Sequence, residues 1–303
     1  MEKCIKSVED ILKEVKDLDK EYLKNKDHKE KGRISLVFRG QPEFNYRLIP
    51  TIGREHKFVG RKQLFDIYNE RNLLHRFCRY AYSQFQRKLG PWESVFLARH
   101  HGLPVRLLDW TASPLIALYF AATPDKDGFG DAAVWAFIRK PNLRPIDVFR
   151  EEAENEPEDD DNYYQIEKEF PPEVKNMMLE HSKAKDLEFK DLQLPLKVKG
   201  VKVIYPLYAS PRMTAQSCAF TIQDNPWKPL ENYFKCKGGD RKASKYVDIN
   251  HIVKWKVPKD YRWSIIDELE RVSINYRTLF PDLDGLAKGL WHLDMVRSDL
   301  PES

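Results

Sequence analysis

Apolar residues at Val8, Ile11, Leu12, Val15 and Leu18 recur at helical spacing and predict an amphipathic helix over residues 6–25. A charged connector, NKDHKEKGR, follows it, and then ISLVFRG at 34–40 reads as a strand, rich in β-formers and stopped by Gly40. Over 61–88, Leu64, Ile67, Tyr68, Leu74, Phe77, Cys78, Ala81 and Phe85 mark a long helical stripe that ends at Gly90-Pro91. Further on, Leu115, Leu118, Tyr119 and Ala122 predict a short buried helix with Pro114 in its first position and Ser113 as its cap, ended by Thr123-Pro124. AAVWAFI at 132–138 is apolar throughout, as a strand covered on both faces requires. GVKVIYPLY at 200–208, CAFTIQ at 218–223 and YVDINHIVKWKV at 246–257 continue the strand signal. Two helices close the chain, one with Ile265, Leu269, Val272 and Tyr276 on a single face and one beginning near Pro281.

These elements predict a single α+β domain, with residues 1–30 as a helical amino-terminal segment and 31–303 as the domain proper. Within it, about 150–195 reads as an acidic insertion with helical pieces. No internal repeat is present.

Polar residues break this pattern at three places. Arg39 interrupts a strand whose other residues want burial, and a buried arginine must find a carboxylate, a carbonyl or a ligand phosphate. Gln41 follows it two positions on, on the same strand face. ARHHGLPVRLLDWTAS at 98–113 sets Arg99, His100, His101, Arg106, Asp109, Thr111 and Ser113 just before the short buried helix, whose amino terminus favours an anion. The bland alternative is that Asp109 and Thr111 fold the turn while Arg106 pairs with Asp109. The third break is Arg212 and Gln216, leading into CAFTIQ. Three polar clusters at the edges of apolar elements describe the rim of one pocket.

Charge sharpens the reading. The net charge is +4, but EEAENEPEDDD at 151–161 holds eight acidic residues and no basic one, which leaves +12 on the rest of the chain. Such a balance attracts a polyanion, and the acidic segment either competes with it for a basic face or is a solvated loop. Cys4, Cys78, Cys218 and Cys236 are scattered, with no zinc or redox spacing, and are expected to be reduced thiols in or near the core. No apolar run is long enough to span a membrane, and MEKCIKSVEDILKEVKDL lacks the apolar centre of a secretory signal, so a cytoplasmic protein without membrane attachment is expected.

FRGQ at 38–41, ARHHGLPVRLLDWTASPLIALYFA at 98–121, AAVWAFI, the R-x-x-A-Q-x-x-x-F-T pattern at 212–221 and LFPDLDGLAKGL at 279–290 resemble the FRG domain family, in order, from about residue 34 to residue 293. A weaker resemblance is to ADP-ribosyltransferases of the arginine-serine-glutamate type. It implies a central mixed or split β-sheet of that type, NAD as substrate held by Arg39, and hydroxyls at Thr111 and Ser113 in the middle segment. The late glutamate of that family is replaced by Gln216, which can hydrogen-bond a ribose but cannot stabilise an oxocarbenium cation with a full charge.

The resulting expectation is an NAD-dependent ADP-ribosyltransferase, a toxin or phage-defence effector, with RNA or DNA as acceptor and a neutralising antitoxin or chaperone as partner. Arg39, Asp109, Gln216, His100 and His101 are the candidate catalytic residues, with Asp109 supplying charge or a histidine acting as base. Arg39, Gln41, Arg106, Thr111 and Ser113 are the candidate NAD-holding residues. The alternatives are a nucleotide- or partner-binding module without turnover and a metal-independent ribonuclease using His100 or His101 with Arg106. No metal is expected: H-E-x-x-H is absent, and the adjacent histidines point apart. GFG at 128–130 lacks the dinucleotide fingerprint, and no P-loop is present.

Overall fold

The computed structural model describes residues 3–23, 36–54, 56–58, 61–63, 67–86, 89–124, 130–139, 146–147, 198, 200–206, 210–234 and 249–298. The acidic insertion expected at about 150–195 and Cys236 lie outside the described residues.

The apolar periodicities become a sheet with helices on one side. Its strands are β1 (Leu36–Gln41), β4 (Leu108–Thr111), β5 (Ala132–Arg139), β6 (Ile146–Asp147), β7 (Val201–Tyr205), β8 (Cys218–Gln223) and β9 (Ile249–Val257), in the order β6-β7-β8-β4-β1-β5-β9. All neighbours are antiparallel except β6 and β7. β2 (His56–Phe58) and β3 (Arg61–Gln63) form a separate hairpin, so the helix predicted from 61 begins later, as α2 (Ile67–Phe85). The other helices are α1 (Val8–Leu23), α3 (Pro91–His100), α4 (Pro114–Ala122), α5 (Pro211–Ala215), α6 (Arg262–Arg271), α7 (Tyr276–Leu279) and α8 (Leu283–Ser298).

Two apolar cores share the helical face of the sheet. Ile11 and Leu18 of α1, Ala117 and Ala121 of α4, and Ile265 and Leu269 of α6 cover Phe38, Val134, Ala136 and Trp255. Leu74 of α2, Val95 and Phe96 of α3 and Met213 of α5 cover Ile204, Phe220 and Ile222. The opposite face packs Val37, Trp110, Trp135, Phe137 and Val203 beneath Leu48 and Leu230. β5 is buried on both faces from Ala132 to Ile138, as its unbroken apolar run requires.

Gly40 does not stop its strand, since β1 runs on to Gln41. Its function is contact: a Cβ at this position would lie 2.0 Å from the Ala117 carbonyl and 2.5 Å from the Ala121 nitrogen, so only glycine lets α4 lie directly on β1. The closing helix predicted through Tyr276 breaks after Arg271. Ser273 adopts a left-handed φ of 62°, Val272 is exposed, and Asn275 starts α7 afresh by accepting from the Thr278 amide.

One buried arginine ties this frame together. Arg262, wholly buried, donates to the carbonyls of Ala122, Pro42 and Gly130, joining the end of α4 to the segments after β1 and before β5. No described helix is long and apolar enough to cross a membrane.

Candidate functional site

The seam between the two cores opens as a cleft of about 490 Å³ over β1, β4 and the start of β8. Phe38 and Phe120 line one side, Phe96, Met213 and Phe220 the other, and Asp109 and Thr111 lie along β4 between them. The seam exists because β1 and β4 pair at one register only, Phe38↔Thr111, so their ladder is not continued past it.

Arg39 crosses that gap. Its Nη1 donates to the Asp109 carbonyl at 2.6 Å and lies 3.7 Å from the Asp109 carboxylate, while its Nε is buried without a partner. Burial outweighs the attraction of Asp109 and pulls the Arg39 pKa down to about 10, with Arg54 and Arg99 repelling it further. An arginine held at this disadvantage is poised to receive an anion.

Arg99, at the end of α3, clasps Asp109 as a fork: Nε donates to Oδ1 at 3.1 Å and Nη2 to Oδ2. Burial pushes the Asp109 carboxyl up, but Arg99, Arg39 and Arg212 together hold it below the ordinary carboxylate range. The same partner raises Arg99. Arg212 of α5 enters from the third side, its guanidinium stacked 4.3 Å over the Phe280 ring, and burial lowers its pKa despite Asp109. Three arginines against one aspartate give the lining a net charge of +2.

The cleft brings together Arg39, His100, Asp109, Thr111 and Gln216 from the predicted set. Thr111 Oγ1 accepts from the Ser113 amide, and Gln216 Nε2 donates to the Leu279 carbonyl at 3.0 Å, tying the end of α5 to α7. His100 lies 3.4 Å from Ser210 Oγ, and burial, then Arg212 and His101, lower its pKa so that it is neutral at pH 7.

Four predicted residues are placed elsewhere. His101 is exposed at the end of α3, its ring perpendicular to that of His100. Ser113 caps α4, accepting from the Ile116 amide, while the α4 side of the cleft is made by Phe120, Thr123 and Pro124 near the helix end. Gln41 does not share the cleft with Arg39: its Oε1 accepts from Trp135 Nε1 and its Nε2 donates to the Arg47 carbonyl. Arg106 does not pair with Asp109. It is buried with Glu70 of α2, whose carboxylate accepts from both its amide and its Nε. Steric reach decides this, because Arg99 approaches Asp109 from α3 while Arg106 is already beneath α2.

Arg99 and Arg212 complete the site, although the sequence singled out neither as ligand-holding. The usable signal was the Gly90-Pro91 start with Glu93 two residues on, which places Arg99 in a last helical turn, where a cation is favoured. No group of side chains that could hold a metal ion occurs among the described residues. Of the cysteines, Cys218 lines the cleft, its thiol pushed up to about 12 by burial, Cys78 is half-buried and Cys4 is exposed.

An α+β domain with a cationic, aromatic-walled cleft at a strand seam is thus the class that geometry defines. Comparison with known families adds one finding: residues 34–128 match the FRG domain. No curated protein and no solved structure matches the chain. The match covers both FRGQ and the 98–121 stretch, hence Arg39, Arg99 and Asp109. It also accounts for the motif physically, with Phe38 in the core under α4, Arg39 in the cleft and Gly40 at the α4 contact.

Proposed function

We propose that the cleft binds NAD and that the protein transfers ADP-ribose from it, as a toxin or defence effector acting on a nucleic-acid acceptor. The observation that carries this reading is Arg39: a buried arginine on β1 with an unpartnered Nε, in a cleft of net charge +2 large enough for a dinucleotide. Arg39 and Arg212 bind the pyrophosphate oxygens. The aromatic walls take the bases, and Thr111 and Gln216 hold ribose hydroxyls. As the nicotinamide bond breaks, its electron pair leaves with nicotinamide and the acceptor oxygen or nitrogen bonds to the ribose carbon. The neutral His100 receives the acceptor's proton. In this reading the sheet corresponds to the ADP-ribosyltransferase type.

A second reading, a nucleotide-binding module without turnover, is favoured by one observation: both oxygens of Asp109, the one carboxylate among the described cleft residues, are clasped by Arg99. That leaves no free anion for a developing cation. Incubation with NAD labelled in the adenylate, with separate RNA, DNA and protein pools, separates the two. Label transferred to any pool, with nicotinamide released, supports the transferase. NAD bound at saturation with no nicotinamide released establishes the binding module, and RNA cleavage without NAD removes both.

A further inference from the structure

The outward face of α2 carries chemistry that the cleft does not use. Arg71, Arg76 and Arg79 are all exposed there, and the single acidic residue of the helix, Glu70, is buried against Arg106. Tyr80 and Tyr82 stand beside them at 76% and 54% exposure, unusual for rings that normally bury their area. At 3.6 residues per turn, Arg76, Arg79, Tyr80 and Ser83 share one face, while Arg71 and Tyr82 lie further round the helix, beyond Arg79.

This face leads to the cleft. Tyr80 follows Phe77 by three positions, which makes them neighbours on the helix surface. The Phe77 ring lies 6.2 Å from His101, and His101 lies 4.9 Å from His100, which lines the cleft. Cations and ring faces therefore run from the exterior of α2 to the cleft mouth.

We infer that the outer face of α2 is a track for single-stranded nucleic acid, whose phosphates meet Arg76 and Arg79 and whose bases stack on Tyr80. The charge is complementary to a phosphate backbone and has no exposed acid of α2 to oppose it. Tyr80 selects the single strand, because a duplex hides its base faces while an unpaired strand presents one per nucleotide. An acidic protein surface would match the arginines and leave the exposed Tyr80 ring without purpose. The track rests on the proposed function only for its destination; its binding is independent of NAD.

The test is fluorescence anisotropy of the full chain with 5′-labelled oligo-U and oligo-dT of about 12 nucleotides, without NAD. A duplex of equal length and poly-glutamate serve as competitors. Binding of either single strand is expected, weakening with salt. Arg76→Gln with Arg79→Gln should reduce the slope of log K against log salt by about 1.4, the share of two single-strand phosphate contacts. Tyr80→Ala should weaken binding by at least about fivefold while leaving that slope unchanged. All three positions are exposed, so thermal melting should match wild type. The proposal is overturned if neither strand binds, if the variants bind as wild type does, or if duplex or poly-glutamate competes as well as the single strand. NAD consumption measured alongside separates the two claims: nucleotide chemistry without strand binding removes only the track, and the converse removes only the nucleotide reading.

Discussion

Replacing Arg39 separates a residue held for a ligand from one that holds the fold. Its side chain is 14% exposed and makes one short hydrogen bond, to the Asp109 carbonyl, while the Asp109 carboxylate is already clasped by Arg99. Arg39→Ala removes that bond, worth about 1.5–3 kcal/mol for a charged donor. It also relieves the repulsion from Arg54 and Arg99 and the burial that lowers the arginine's pKa to about 10. The opposing effects should leave the net loss of stability under about 2 kcal/mol. Binding has no such compensation. Losing a buried, charge-assisted contact to a phosphate costs about 2–5 kcal/mol, which is about 30-fold to several thousand-fold in Kd. Arg39→Lys should recover little, because an ammonium cannot reproduce a planar fork that reaches the Asp109 carbonyl and a ligand oxygen together. Titration calorimetry with NAD, paired with urea unfolding, measures both quantities. An alanine variant that binds NAD as wild type does, or that unfolds by more than about 4 kcal/mol, refutes the reasoning.

Asp109→Asn should raise the charge of the cleft lining from +2 to +3, tightening NAD while lowering the melting temperature by several degrees as Arg99 loses its ionic partner; looser binding would mean that the carboxylate itself touches the ligand. Glu70→Ala should destabilise by about 3–5 kcal/mol in urea, because it removes the carboxylate that accepts from both the amide and the Nε of the buried Arg106, yet leave the NAD affinity of the folded protein unchanged. Gln216→Glu should lower stability without raising NAD consumption, since a carboxylate oxygen would face the Leu279 carbonyl where Nε2 now donates; increased turnover would show that the missing charge limits the reaction.

Much of the frame was legible where an apolar run was long and bounded by strong start and stop residues. Ala132–Ile138 could only be a strand covered on both sides, and Ser113-Pro114 could only open a helix. β4 was not legible: LDWT is four residues long and carries an aspartate, and it is a strand because β8 pairs with it along its length. The site was half legible. A basic residue within a buried strand announced Arg39, but which arginine meets Asp109 depends on α3, whose apolar residues are not confined to a clear stripe. Gln41 was misread because strand alternation ignores the partner strand, and Trp135 offers a buried donor that fixes its amide.

The three cleft arginines come from β1, the end of α3 and α5, and the sheet order β8-β4-β1 makes positions 39, 109 and 216 neighbours. Their burial is offset unequally. Arg99 has a carboxylate fork, Arg212 has the face of Phe280, and Arg39 has one carbonyl and an idle Nε. Only Arg99 is neutralised, so the folded chain holds two positive charges in a concave, partly dry site, an arrangement that stability alone does not favour. A bound anion would remove that penalty. It should therefore stabilise the fold by RT ln(1 + [L]/Kd), about 2.7 kcal/mol at a hundredfold excess over Kd. This links the two readings of the cleft. Whether NAD is turned over or only held, an anion that enters must raise the melting temperature, and Arg39→Ala must abolish most of the rise. A melting curve indifferent to NAD, ADP-ribose and pyrophosphate alike would mean that the excess charge serves neither.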